Sequence, residues 1–119
     1  MNGAMSPSAV QTFAALGDPV RSTIVDRLAA SDATVGELAS LFDISFQAVS
    51  QHLDVLERAG LVVRRREGRT RPARLDPRAL EEARDWMEER RLRLEARYRR
   101  LDDLLAREQA TTTTDEEQP

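Results

Sequence analysis

Gln47 and Gln51 stand four residues apart in the stretch "SFQAVSQHLDVLERAG", a spacing that stacks them on one side of a helix. A glutamine amide can pair bidentately with N6 and N7 of adenine, and the hydroxyl of Ser50 suits several base edges. Phe46, one residue earlier, offers apolar surface to a thymine methyl. A few residues on, "RRREGRTRPAR" (64–74) holds six arginines against one glutamate, a net of +5. Base-edge readers followed by a dense block of guanidinium groups are the two halves of nucleic-acid chemistry, one for sequence and one for phosphate. Each half also has a plainer reading. Polar residues on a helix face are commonly only solvated, and a basic hairpin can be a solvated surface.

The balance of the chain does not by itself favour nucleic acid. The formal net charge is −3, from 18 arginines, no lysine and 21 acidic residues. Its distribution matters more, because phosphate meets the local field. Residues 1–44 carry −3, and the closing "QATTTTDEEQP" another −3, so the positive charge is concentrated where the glutamines are. Without cysteine there are no disulfides, thiolate metal sites or thiol redox chemistry. A single histidine, His52, makes no zinc cluster and reads as a hydrogen-bonded packing residue beside an apolar stripe. No paired nucleophile and base and no Gly-rich phosphate loop point to an enzyme, and no cofactor or metal is implied. No apolar run reaches the ~20 residues of a membrane span and the start lacks a signal-peptide pattern, so a cytoplasmic protein without membrane contact is expected.

The elements that must hold these residues follow from periodicity and capping. Ser8 and Gln11 form a capping box for a first short helix with Val10, Phe13 and Leu16 on its apolar face. Asp18 caps and Pro19 opens a second helix, to about Ala30, with Val20, Ile24 and Leu28 inward. Thr34 and Glu37 form another capping box, for a third helix burying Leu38, Leu41 and Phe42. Two residues later Ser45 caps the fourth helix, which buries Val49, Leu53 and Leu56 and stops at Gly60. Helices joined so tightly match a helix-turn-helix. "LVVRRR", "EGRT" and "RPARLD" then read as strand, turn and return strand, the return strand being an edge at Pro72, which cannot donate a ladder hydrogen bond.

From Asp76 a long helix runs to about Glu108, with Leu80, Met87, Leu94 and Leu101 every seven residues and Tyr98 and Leu105 in the partner heptad position. At 1.5 Å per residue it spans about 45 Å, too long for one small domain to cover, so part of it meets a second chain or stays exposed. The organisation expected is a flexible start (1–7), a mainly α winged helix-turn-helix with a small β-hairpin (8–79), a dimerisation helix (80–108) and a disordered acidic tail (109–119).

"FAALGDPVRSTIVDRLA" and "TVGELASLFDISFQAVSQHLDVLERAGLVVRRREGRTRPARLD", about Phe13 to Asp76, resemble the ArsR/SmtB family of bacterial winged-helix repressors. "AVSQHLDVLERAGLV" is the most specific part. The resemblance implies a homodimer built on the first and last helices, here Val10, Phe13, Met87, Leu94, Tyr98, Leu101 and Leu105. It implies binding to a palindromic operator in double-stranded DNA, and repression, often of the protein's own gene. Helix 45–59 then enters the major groove with Phe46, Gln47, Ser50 and Gln51 reading bases. Wing 62–75 grips backbone or minor groove through Arg65, Arg66, Arg69 and Arg71, and Ser45 presents the helix start to phosphate. Many relatives sense metals, but the matching stretch at residues 34–37 reads "TVGE" without cysteine and the last helix has no histidine. The long final helix looks like that of a non-metal subgroup. A weak oxygen site at Asp76, Glu81, Glu82 and Asp85 is the metal-responsive alternative, and a winged-helix module that binds protein rather than DNA is the other. No small-molecule effector is identified.

Overall fold

The structure, a computed structural model, describes residues 7–117, with side chains for residues 8–111. Five helices and one hairpin follow in the order α1 (Pro7–Leu16), α2 (Pro19–Ala30), α3 (Val35–Ala39), α4 (Phe46–Arg58), β1 (Val62–Arg64), β2 (Ala73–Leu75) and α5 (Pro77–Glu117). The chain divides into two units, one through Trp86 and one from Met87 onwards. The first holds the whole helix-turn-helix and hairpin.

Capping sets the helix starts. Asp18 accepts hydrogen bonds from the backbone N–H of Val20 (2.9 Å) and Arg21 (3.1 Å), and Pro19 occupies the position where a missing N–H costs nothing. Thr34 and Glu37 complete a reciprocal capping box before α3. Gly60, at φ +80°, takes the left-handed conformation that ends α4 and that a β-carbon disfavours. Inside, Ile24, Leu38, Val49, Leu53, Leu56 and Leu61 are fully buried, each worth about 1.5–3 kcal/mol against exposure.

The bond from the Arg21 N–H, helped by the charges of His52 and Arg21, holds the Asp18 carboxyl below its ordinary 3.8. A carboxyl depressed in the folded state stabilises fully above its unfolded pKa and loses that contribution as pH falls through the folded value. Asp18→Asn keeps the cap acceptor but does not titrate. Its urea midpoint therefore declines less steeply than that of the wild type below about pH 4, and parallel declines would show that the Asp18 cap is not part of acid unfolding.

Several expectations change. α1 begins at Pro7, so Ser8 lies in its first turn and forms no capping box; Met1 to Ser6 are outside the described residues. α3 ends at Ala39, and the tight turn after it leaves Leu41 47% exposed instead of buried. The strands are three residues each, because only Val62, Val63 and Arg64 pair in register with Leu75, Arg74 and Ala73. Ala73 also exchanges two backbone hydrogen bonds with Ala33, at 3.1 and 2.7 Å, so the return strand is flanked on both sides at that one residue, while Pro72 before it lies outside the paired register. The first unit extends past residue 79, since Ala79 and Ala83 on α5 are buried and Trp86 meets Phe13 edge-on at 5.4 Å between ring centroids. α5 continues to Glu117 where a disordered tail was expected from residue 109. No glycine or proline interrupts that stretch, and the Thr111 hydroxyl donates back to the Arg107 carbonyl.

Candidate nucleic-acid interface

α4 owes its two faces to sequence. Val49, Leu53 and Leu56 are buried, which turns Gln47, Gln51 and Asp54 to the exposed side and leaves Ser50 half-buried. Phe46 is 60% exposed, so α3 does not cover it. The Ser45 hydroxyl accepts the Ala48 N–H at 3.0 Å, and its own proton remains available to donate. Helix geometry leaves the N–H groups of Phe46 and Gln47 without intrahelical acceptors, a ready-made anion site at the end nearest the glutamines.

The wing is built around a tight turn. Glu67 and Thr70 exchange backbone hydrogen bonds of 2.8 and 3.0 Å. Gly68 between them has φ +60°, and no other residue type in the described chain has positive φ. Positive φ at only the first central position is the pattern of a type II′ turn, one of the two that suit a two-residue hairpin loop. It puts Arg69 at the tip.

The arginines divide by position. At the base of the hairpin Arg64 and Arg74 are tied down, Arg64 to Asp54 of α4 at 3.7 Å and Arg74 to Asp32 at 3.2 Å. The Arg64 side chain is only 10% exposed, and its buried Nε has no hydrogen-bond partner. Arg65, Arg66, Arg69 and Arg71 are exposed and have no ion-pair partner among the described residues. The paired arginines fix the hairpin against the core, and the unpaired ones carry charge outwards.

The pairing of Asp54 with Arg64 has no local sequence signal. The two are ten residues apart, and only the hairpin's return to α4 brings them together. His52 matches its expected role: Arg21 Nη1 lies 3.3 Å from its Nδ1, and Asp18 is 3.8 Å away. The suggested oxygen site does not assemble. Asp76 is occupied by Arg78 at 2.8 Å, and no three His, Asp or Glu side chains converge among the described residues. No helix there is long and apolar enough to cross a membrane.

Of the residues assigned to a dimer seam, Val10 (47%), Met87, Leu94, Tyr98, Leu101 and Leu105 are exposed, all five on α5 by 45–57%. Phe13 is half-buried and packs on Trp86 of its own chain.

Residues 16–65 match a helix-turn-helix domain family. The chain is 35% identical over 75 residues to the transcriptional repressor SdpR of Bacillus subtilis, covering 63% of this chain and 83% of that one. It is similar to the crystal structure of an ArsR family transcriptional regulator, with a TM-score of 0.71 and 30% identity over 77% of this chain and 96% of that one. A homodimeric winged helix-turn-helix DNA-binding domain from Mycobacterium bovis gives a TM-score of 0.56 at 27% identity, over 75% of this chain and 81% of that one. With a helix-turn-helix match over residues 16–65, a repressor relative at 35% identity covered over 83% of its length and an ArsR family structure at 30% identity covered over 96%, the chain belongs to the ArsR/SmtB family of winged-helix transcriptional regulators.

Proposed function

We propose that this chain is a non-catalytic, homodimeric repressor that binds a palindromic operator in double-stranded DNA. One observation carries the reading: four unpaired guanidinium groups sit on a wing whose base is pinned to the helix that exposes Gln47 and Gln51. The helix supplies sequence discrimination in the major groove, with Gln47, Ser50 and Gln51 as readers and Phe46 beside them for a thymine methyl. Arg65, Arg66, Arg69 and Arg71 supply backbone or minor-groove contacts, and Ser45 with the α4 start takes a phosphate. The two helices of a dimer enter successive major grooves about 34–36 Å apart. The homodimeric relative from M. bovis and the repressor SdpR support the assembly and the sign of regulation.

The test is fluorescence anisotropy with DNA from upstream of the gene, scrambled DNA as control, at several salt concentrations. Preference for the native DNA by ~1,000-fold or more is expected. With six to eight phosphates neutralised, log affinity falls against log salt with a slope of about −5 to −7. Gln51→Ala relaxes base preference by about 1–3 kcal/mol per half-site and leaves that slope unchanged. No binding to either DNA at low salt would make the winged helix a protein-binding scaffold instead.

A further inference from the structure

A surface cavity of about 350 Å³ opens where the end of α1, the start of α2 and the last turns of α4 meet. Ala14, Ala15 and Val55 form its apolar floor, and its polar lining is Gln11, Arg21 and Arg58, with no carboxylate among the lining residues. Arg21 is held rigidly: its Nε donates to the Ala15 carbonyl at 2.7 Å and its Nη2 to the Ala14 carbonyl at 3.3 Å. A guanidinium has five N–H donors, so after the contact with His52 two of them remain unspent. Arg58 uses only Nε, in a long 3.4 Å bond to the Asp54 carbonyl. Neither arginine makes an ion pair within 4 Å among the described residues, although the charge of Arg21 also acts on the Asp18 carboxyl.

Two cations lining one cavity repel each other, and an anion between them turns that repulsion into charge-assisted hydrogen bonds. The alanine and valine floor selects an apolar body behind the charge, and the volume falls at the lower end of small-molecule sites. We propose that this cavity is a binding site for a small organic carboxylate, its carboxyl group between Arg21 and Arg58 and its apolar part on Ala14, Ala15 and Val55. The site is distinct from the DNA-facing side of α4. It nevertheless includes the last turns of that helix, so occupancy is felt by the element that carries Gln47 and Gln51.

Benzoate is the probe, with benzyl alcohol as a neutral match of similar shape and sodium chloride at equal ionic strength as a plain anion. The full chain is melted at fixed protein concentration. Benzoate at about 50 mM, roughly 50-fold above a millimolar Kd, is expected to raise Tm by about 5 °C or more. Benzyl alcohol and chloride are expected not to. Arg58→Gln, at an exposed position that does not support the core, abolishes the rise, and so does Ala14→Trp, which fills the cavity from an exposed site. The proposal is overturned by no rise with benzoate, by a rise that benzyl alcohol matches, or by one that persists in Arg58→Gln. It is equally overturned if benzoate has no effect while Arg58→Gln shifts the protein towards monomer in sedimentation, since the cavity then belongs to a second copy of the chain.

Discussion

Glutamine at both Arg69 and Arg71 lowers affinity for every DNA sequence by roughly 10³-fold near 0.1 M salt and makes the salt slope shallower by about 3 to 4. The size follows from counterion release. Each protomer loses two phosphate contacts and the dimer four, at about 0.9 of slope apiece. Both residues are exposed and neither is ion-paired among the described residues, so their removal costs the fold little. Circular dichroism and Tm should therefore match the wild type while anisotropy titrations at three or more salt concentrations diverge. The ratio between operator and scrambled DNA stays constant, because phosphate contacts carry no sequence information. An unchanged slope would reduce the wing to a solvated hairpin. Arg64 and Arg74 belong to another class, and replacing either loosens the hairpin's attachment to Asp54 or Asp32 as well as removing a charge.

That division within one arginine-rich run shows where sequence reading reached its limit. The run itself, its Gly-containing turn and its place after a capped amphipathic helix were legible, because turn residues, caps and buried stripes are local signals. Asp18, Thr34, Ser45 and Gly60 all do in the structure what their residue types foretold. Which arginines are spent on structure was not legible. Asp32 and Asp54 come from other elements, 42 and 10 residues from their partners, and only the completed fold sets those pairs. The same cause explains Ala33, whose two backbone bonds flank Ala73, and Phe13, whose face is taken by Trp86 of its own chain. Leu41 shows the converse error. Helical spacing marked it as buried, but α3 stops at Ala39 and the periodicity no longer applies beyond it.

Aspartate at both Leu94 and Leu101 is expected to convert the protein to monomer and to lower operator affinity by roughly 10²–10⁴-fold, the contribution of tethering a second half-site. Leu94 and Leu101 are 45% and 46% exposed, and Met87, Tyr98 and Leu105 exceed 50%. A row of apolar residues at heptad spacing, open to water on a single chain, is the signature of a surface that another chain covers. Neither leucine is in the core, so the variant retains its helix content and the fold of the first unit. Sedimentation checks the mass, and anisotropy checks the affinity for full and half operators. A variant that stays dimeric would place the interface elsewhere, and a monomer with undiminished operator affinity would remove the need for a dimer. The salt slope separates this loss from that of the wing. One bound protomer touches half the phosphates, so the seam variant halves the slope and binds half and full operators alike, whereas the wing variant remains a dimer that still prefers the full site.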